Sequence, residues 1–363
     1  MRIALDAMGG DFAPAVVVAG AIEALRQLPN PPQVILVGDE DRVRAELTRH
    51  GEKASPGGPL EIRPTTEIIE MGDHPGQALR QKRDSSIRVC FELVKRGEAD
   101  AMVSAGNSGA VMAGAVLFWG RLDGVERPAI ATWLPTLKGR MLLLDAGANV
   151  ECRPLHLVQF ALMGEVYTRR MLGLPHPKIA VLSNGEEDSK GTEMTRAASA
   201  ALRAFGPDFI GYAEGKDVFS GKLDVAVTDG FNGNLLLKTA EGCAEALMEL
   251  MRRSVKKSWP AMAGMLLARP ALRRFRSEID WDEYGGAPLI GVNGVGIIAH
   301  GRSGPKAIRN AIRVAAEAGA AHLGPELAAA AKKGAEYCAP RAESPERPRA
   351  VASPIGSAEE EAE

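Results

Sequence analysis

The sequence predicts an α/β protein with a doubly wound, mainly parallel sheet and a protruding helical hairpin. Short apolar runs recur along the chain, and each ends in a loop rich in Gly, Asn, Asp and Ser before apolar residues return at helical spacing. This alternation favours parallel strands with helices on both faces of the sheet. Between residues 240 and 283 the alternation stops, and two helical segments follow each other.

The apolar runs predict strands over residues 3–5, 34–37, 101–103, 141–144, 179–182, 225–228 and 289–292. Helical spacing predicts helices over residues 15–25, 41–50, 77–95, 110–118, 154–172, 194–205, 241–259, 260–275 and 307–319, with a short stretch to about 333. Because right-handed crossovers place the loops after parallel strands along one edge, we expect the polar loops to converge on one cleft. These are the loops after Leu5, Val103, Leu144, Leu182 and Thr228.

The chain length suits one large domain over residues 1–335, with residues 241–283 as a helical hairpin insertion. Residues 340–363 are rich in Pro, Glu, Ala and Ser and lack apolar content, so they are predicted to be a disordered tail.

Composition excludes several classes of protein. The net charge of -2 argues against nucleic acid as a partner, since phosphate backbones require a clear basic excess. Four separated cysteines indicate reduced thiols in a cytoplasmic protein, and six scattered histidines predict no metal site. No apolar stretch approaches the roughly 20 residues of a membrane-spanning helix.

The loop between the fifth predicted strand and its helix contains Lys190 beside Asn184. Backbone N–H groups and the positive end of the helix dipole favour anions at a helix N-terminus, and Lys190 adds a point charge. Glu186, Glu187 and Asp188 would repel a phosphate unless they point away from it or pair with cations. A solvated turn in which Asp188 or Ser189 caps the helix is the alternative.

Two basic regions suggest partners. Arg80, Lys82 and Arg83 form either a solvated helix face or a docking surface for an acidic partner. The hairpin mixes apolar and basic residues, a composition that suits either a membrane interface or a dimer contact. One hairpin can serve both roles. Its predicted membrane-contacting residues are Met265, Leu266, Leu267, Leu272 and Phe275.

Common catalytic motifs are absent from the sequence, including the G-x-S-x-G elbow, H-E-x-x-H and the P-loop. Gly294-x-Gly296-x-x-Ala299 fits the dinucleotide pattern formally. Since Ile297 to Gly301 does not open a helix there, a nicotinamide dehydrogenase is poorly supported.

Taken together, the loops resemble the bacterial phosphate acyltransferases of phospholipid synthesis, the PlsX family. The matching stretches run in order to about residue 320, and Gly72 and Asn232 depart from the usual residues. They are residues 3–11, 77–86, 104–109, 145–149, 186–191, 229–234, 283–288, 291–294 and 299–301.

The resemblance implies transfer of a long fatty acyl group from acyl carrier protein to inorganic phosphate, on a fold similar to phosphotransacetylases and isocitrate-type dehydrogenases. It also implies a homodimer on the cytoplasmic membrane surface, where the product would pass to a membrane-bound acyl-phosphate:glycerol-3-phosphate acyltransferase. No cofactor is expected, because phosphate is an anionic nucleophile and a thiolate leaves readily. An oxidoreductase of similar fold and a non-catalytic membrane scaffold remain the alternatives.

Residue roles follow from matching these motifs. Lys190 and Asn234 are the predicted catalytic residues, with Lys190 holding phosphate or the developing oxyanion and Asn234 donating to the oxyanion. Arg80, Lys82 and Arg83 or the hairpin arginines would dock the acidic carrier protein. The predicted substrate-binding residues are Asp6, Gly9, Gly10, Asp11, Asn107, Ser108, Asp145, Asn149, Asn184, Asp229, Asn232 and His300.

Overall fold

The computed structural model describes residues 1–272, 275 and 281–338. The predicted tail over residues 340–363 lies outside the described residues, as do residues 276–280 of the predicted hairpin and its Arg273 and Arg274. The strands are β1 Arg2–Asp6, β2 Gln33–Gly38, β3 Leu60–Pro64, β4 Ala101–Ser104, β5 Ala129–Thr136, β6 Gly139–Leu144, β7 Ile179–Leu182, β8 Phe209–Ala213, β9 Val225–Val227, β10 Ala287–Ile290 and β11 Gly296–Ile298.

The α-helices follow the strands in the alternation that the sequence predicts. They are α1 Ala15–Gln27, α2 Glu40–Arg49, α3 Pro75–Gln81, α4 Ser86–Lys95, α5 Ser108–Gly114, α6 Pro154–Leu172, α7 Glu193–Leu202, α8 Gly230–Lys256, α9 Trp259–Leu267, α10 Pro305–Ala321 and α11 Gly324–Cys338. A π-helical turn, Ala115–Trp119, extends α5, and short 3-10 helices cover Arg203–Phe205 and Trp281–Glu283.

The described strands form one sheet in the order β3-β2-β1-β4-β11-β10-β5-β6-β9-β7-β8. Alternate residues of each strand belong to different cores: Ile3 and Leu5 pack with α1 and α10, whereas Ala4 packs with α4 and α5. In the other half of the sheet, Leu142 packs with α6 while Met141 faces the core of α4 and α5. Helices therefore cover both faces, which confirms the predicted doubly wound, mainly parallel fold.

The two halves of the sheet run in opposite directions, and here the expectation of one shared loop edge is wrong. β10 is antiparallel to β11 and to β5, and β5 is antiparallel to β6. Three reversals turn the direction of β6, β9, β7 and β8 against that of β1, β4 and β11. The polar loops therefore form two groups, which leave the sheet at opposite ends of its strands.

Helix α8 begins at Gly230, well before the predicted start at residue 241. The Asp229 side chain caps the helix by accepting a hydrogen bond from the backbone N–H of Asn232, 2.9 Å away. The Gly/Asn-rich stretch predicted to be a loop is thus the first turn of a helix. The hairpin is consequently a continuation of the helix that bears Asn232 and Asn234.

Two other predictions need correction. The helix expected over residues 77–95 is broken between Gln81 and Ser86, where the Asp84 carboxylate accepts hydrogen bonds from the backbone N–H and hydroxyl of Thr66. The apolar run expected over residues 289–292 is the antiparallel strand β10, which ends at Ile290. Strands β3, β5, β8 and β11 were not predicted from the sequence.

Candidate active site

The first group consists of the loops that follow β1, β4 and β11, and the buried Asp6 side chain connects the loops after β1 and β4 by hydrogen bonds. Its carboxylate is buried, and it accepts hydrogen bonds from the Ser104 hydroxyl (2.6 Å) and from the backbone N–H of Met8 (3.2 Å). Burial raises the pKa of Asp6, although these hydrogen bonds oppose the rise. A Cβ on Gly9 would lie 2.5 Å from the Asp6 carboxylate and 2.7 Å from the Gly106 nitrogen, so only glycine fits there. The predicted residues Asp6 and Gly9 therefore shape the loops after β1 and β4.

Asn107 attaches the loop over residues 70–73 to the first group of loops. Its side-chain oxygen accepts from the backbone N–H of Ala110 and caps α5, while its amide nitrogen lies 3.1–3.2 Å from the carbonyl oxygens of Glu70, Met71 and Asp73. The hydrogen-bonding capacity of this side chain is thus used within the protein. Ser108, next in the chain, is exposed, and its hydroxyl has no partner among the described residues.

The turn after β11 completes this first group. The backbone N–H of Asp11 donates to the Gly301 carbonyl oxygen (2.8 Å), and Gly10 reaches this position with a φ of 104°. His300 is exposed beside them. The backbone N–H of Arg302 donates to His300 Nδ1 (3.2 Å), and His300 Nε2 lies 3.0 Å from the Nζ of Lys238.

The second group consists of the loops that follow β6, β7 and β9. Its central side chain is that of Asp145 at the end of β6. This buried carboxylate accepts from the backbone N–H groups of Ile130, Ala148 and Asn149 at 3.0, 3.0 and 2.7 Å, and from the Asn149 side-chain amide at 2.8 Å. Burial raises the pKa of Asp145 against these hydrogen bonds. The Asn149 amide also donates to the Pro128 carbonyl oxygen. Asp145 and Asn149 thus hold the loop in shape.

Helix α8 starts against this loop. The backbone N–H of Gly230 donates to the Asn149 carbonyl oxygen (2.7 Å), and the Asn232 side chain donates to the capping Asp229 (2.7 Å). Asn234 is exposed and lies over the exposed Gly147, whose missing Cβ would be 3.5 Å from that of Asn234. Within the described part of the chain the Asn234 amide has no hydrogen-bond partner. It is therefore free to donate to a ligand.

Lys190 lies on the loop after β7, which is hydrogen-bonded to β9 in the same direction. The Asn184 side-chain oxygen accepts from the Gly191 N–H (2.9 Å) and holds the loop, and Thr192, rather than Asp188 or Ser189, caps α7. Asp188 pairs with Arg203, and Glu186 lies 3.8 Å from the Nζ of Lys216. The Arg203 pair offsets the charge of Asp188, whereas Lys216 is shared between Glu186 and the closer Glu214 (2.9 Å).

The Lys190 ammonium itself is exposed and has no ion-pair or hydrogen-bond partner among the described residues. It differs in this respect from Lys216 and Lys222, which pair with neighbouring carboxylates. The loop therefore presents an uncommitted cation at the edge of the sheet from which α8 departs.

Lys238 connects the two groups of loops, and the sequence predictions missed it. Eight residues beyond Gly230, a rise of about 12 Å along α8, its Nζ reaches His300 in the first group. Lys238 and Asn234 are four residues apart and so share a helix face. That spacing was readable in the sequence only if the helix was known to begin at Gly230.

The Cys152 thiol lies 3.6 Å from the Asn149 carbonyl oxygen, close to this second group. Burial raises its pKa to about 12, and the Asp145 and Asp229 carboxylates add to the rise. The thiol stays protonated at neutral pH, so it is not an activated nucleophile. Nowhere in the described ranges do three or more His, Cys, Asp or Glu side chains gather in a way that would hold a metal ion.

The basic residues predicted to dock a carrier protein divide into two kinds. Lys82 donates to the Asp73 carboxylate (2.5 Å) and to the Ile68 carbonyl oxygen (2.8 Å), so it stabilises its own loop. Arg80 and Arg83 are exposed and have no described partner.

Apolar side chains of the hairpin are strongly exposed, among them Leu266 at 68% and Leu267 at 85%, with Phe275 at 47%. Met265 and Leu272 are half-buried. In the described portion of the protein, no helix has both the length and the apolar character needed to cross a membrane.

Comparison with known proteins places this arrangement among known folds and families. The model of a family described as "Fatty acid synthesis protein" matches residues 1–324. A phosphate acyltransferase of Anaeromyxobacter dehalogenans (strain 2CP-1 / ATCC BAA-258) is 59% identical over 329 residues, which cover 90% of each chain. A phosphate acyltransferase of Anaeromyxobacter sp. (strain Fw109-5) is 55% identical over 355 residues, covering 97% of each chain.

A solved structure has a similar fold. The phosphotransacetylase from Streptococcus pyogenes superposes with a TM-score of 0.58 at 20% identity, covering 88% of this chain and 94% of its own. The fold similarity predicted from the sequence motifs is thereby confirmed for phosphotransacetylases.

Proposed function

The chain belongs to the fatty acid synthesis protein family of phosphate acyltransferases, and we propose that it transfers a long-chain fatty acyl group from acyl carrier protein to inorganic phosphate. The acyl phosphate produced would serve phospholipid synthesis. This proposal extends the acyltransferase assignment to a particular donor and acceptor.

One observation supports this chemistry above the others. Lys190 and Asn234 both belong to the second group of loops, and each combines exposure with a donor that is uncommitted within the described structure; in the first group Ser108 shares these two properties. By contrast, Asp6, Asn107, Asp145 and Asn149 have their polar atoms occupied within the protein. A cation and an amide donor presented at one sheet edge suit a reaction that develops negative charge on oxygen.

The reaction needs alignment and charge stabilisation rather than a protein nucleophile. A phosphate oxygen attacks the thioester carbonyl carbon, and the carbonyl electron pair moves onto oxygen to give a tetrahedral oxyanion. The electron pair on oxygen then reforms the carbonyl, the C–S bond breaks, and the thiolate leaves with the electron pair of the C–S bond. Asn234 would donate a hydrogen bond to the oxyanion, and Lys190 would supply positive charge beside it. Removing one oxyanion donor typically costs about 2.7–4 kcal/mol of transition-state stabilisation.

Exposed charged and apolar side chains suggest three partners: the carrier protein, a second subunit and a membrane surface. Arg80 and Arg83, which have no described partner, would dock the acidic carrier protein. Exposed Leu247 and Leu250 on α8 would pack in a homodimer, because large apolar side chains on an extended helix need a covering surface. Leu266, Leu267 and Phe275 would enter a membrane surface peripherally, where the cytoplasmic enzyme would deliver acyl phosphate to a membrane-bound acyltransferase.

The first experiment mixes purified protein with palmitoyl-acyl carrier protein and inorganic phosphate. We expect free carrier thiol and a hydroxylamine-trappable acyl phosphate in equal amounts, both dependent on added phosphate. Free thiol without acyl phosphate would indicate thioester hydrolysis instead of transfer. Neither product from folded protein, across several chain lengths, would refute the proposal.

A further inference from the structure

We propose that Lys238 and His300 bind the acceptor phosphate, an inference that rests on the proposed phosphate acyl transfer. The site lies where helix α8 crosses from the second group of loops to the first. Its two side chains come from different halves of the sheet, one from α8 and one from the turn after β11.

The hydrogen-bond geometry around Lys238 and His300 leaves two donors close together. The backbone N–H of Arg302 donates to His300 Nδ1 (3.2 Å), so Nδ1 is an acceptor and a neutral imidazole carries its hydrogen on Nε2. The Lys238 Nζ donates to the Glu241 carboxylate (2.9 Å). Yet Lys238 Nζ and His300 Nε2 are only 3.0 Å apart. Two donors therefore face each other, and no acceptor from the described residues lies between them.

An anion satisfies both donors. A phosphate oxygen accepts from the Nε2–H and from the ammonium, which has three donors and uses one on Glu241. Both side chains are exposed, so they can separate to admit the ion. Glu241 and Asp11 are the neighbouring carboxylates that oppose a fully ionised anion.

The position of the pair fits the acyl acceptor. Asn234 lies one helical turn before Lys238 on the same face of α8, about 6 Å away in Cβ separation. A phosphate at Lys238 and His300 would therefore reach a thioester carbonyl whose oxygen is turned towards Asn234. In this arrangement Lys190, on the loop after β7, serves the developing oxyanion.

The test is a steady-state comparison of Lys238→Gln and His300→Gln with the wild type, varying phosphate and acyl-carrier thioester separately. Loss of one charge-assisted hydrogen bond should raise the KM for phosphate at least about tenfold and leave the KM for the thioester within about twofold. Lys238→Arg should restore much of the loss. An unchanged KM for phosphate, or an equal rise in both constants, would overturn the assignment.

Two matched variants separate binding from structure. Lys95→Gln removes an exposed lysine without a described partner and should change neither constant. Glu241→Gln breaks the same ion pair as Lys238→Gln but keeps the ammonium, so its KM for phosphate should not rise. If Glu241→Gln reproduced the effect of Lys238→Gln, the lysine would act through the ion pair, and the proposal would fail.

Direct binding keeps this test independent of the acyl-transfer proposal. Wild-type protein without thioester should broaden the 31P resonance of added inorganic phosphate, and Lys238→Gln should lose this broadening. That pair of results would support the site even if no acyl phosphate were formed. Equal broadening by both proteins, or none by the wild type, would refute it.

Discussion

Substituting Gly233 by alanine tests how closely helix α8 packs on the Asp145 loop. Gly233 is buried in the first turn of the helix, and an added Cβ would lie 1.9 Å from the carbonyl oxygen of Asp145. Ordinary contact begins at 3.4 Å, so the helix and the loop must separate by about 1.5 Å (3.4 minus 1.9). The atom in the way belongs to the backbone and cannot rotate aside.

The magnitude follows from two opposing effects. Overpacking a well-filled site costs about 1–3 kcal/mol, and a backbone clash belongs at the upper end of that range. The helix preference of alanine over glycine returns about 0.5–1 kcal/mol. We therefore expect Gly233→Ala to lower the free energy of unfolding by about 2 kcal/mol. It should also lower kcat at least tenfold in the folded protein, because a displacement of about 1 Å at a reacting centre can cost a factor of about a hundred.

Gly242 on the same helix provides the control. It is exposed, and an added Cβ would meet nothing within 4 Å, so Gly242→Ala should raise the free energy of unfolding by about 0.5–1 kcal/mol. Urea unfolding followed by circular dichroism would measure both variants, with acyl phosphate formation as the second readout. A Gly233→Ala protein as stable and active as Gly242→Ala would refute the close packing of α8 on the loop.

Four other predictions follow from the described contacts. Lys190→Ala should lower kcat at least about a hundredfold without changing the urea midpoint, since the ammonium has no described partner, and near-normal turnover would exclude it from the mechanism. Arg83→Glu should raise the KM for acyl-carrier protein but not for an acyl-pantetheine thioester, which lacks the acidic protein. Leu266→Glu should abolish sedimentation with anionic liposomes, whereas Leu137→Glu, at another strongly exposed leucine, should not. Burial raises the folded-state pKa of Asp6. The stability that the protonated Asp6 gives to the folded protein is therefore complete below the unfolded-state pKa, and it is lost as pH rises through the folded-state pKa. The urea midpoint of the wild type relative to Asp6→Asn should therefore fall as pH rises from the acid range, and a constant difference would contradict this reasoning.

The local fold was largely predictable because the apolar runs and the polar loops have clear signatures. The run Ile179–Leu182 and the helix after Gly191 both appear as the sequence predicts, although the cap is Thr192 and not Asp188 or Ser189. Strand β11 has only three residues, too few to show a period. β5 and β6 form a hairpin around Leu137 and Lys138, which alternation before a short turn could have indicated.

Strand direction was not predictable in the same way. The direction of β6 relative to β1 depends on two antiparallel neighbours, β10 and β5, that come from distant parts of the chain. Local sequence reports that a strand forms, whereas pairing depends on long-range packing. The convergence of all five loops at one edge was therefore an inference from a rule for uniformly parallel sheets, and this sheet is not uniform.

The reversal explains why the candidate site depends on a helix as well as on strand ends. Asp145 and His300 follow strands of opposite direction, so their loops cannot meet along one edge. Helix α8 runs from one group of loops to the other. Gly230 contacts the Asn149 loop, and Leu236 and Leu237 pack on the core. Two residues after Leu236, Lys238 reaches His300. Beyond this point the same helix continues to Lys256 with mostly exposed side chains. Any surface that covers the distal half of α8 therefore contacts the same continuous helix whose first turns hold Asn234 and Lys238.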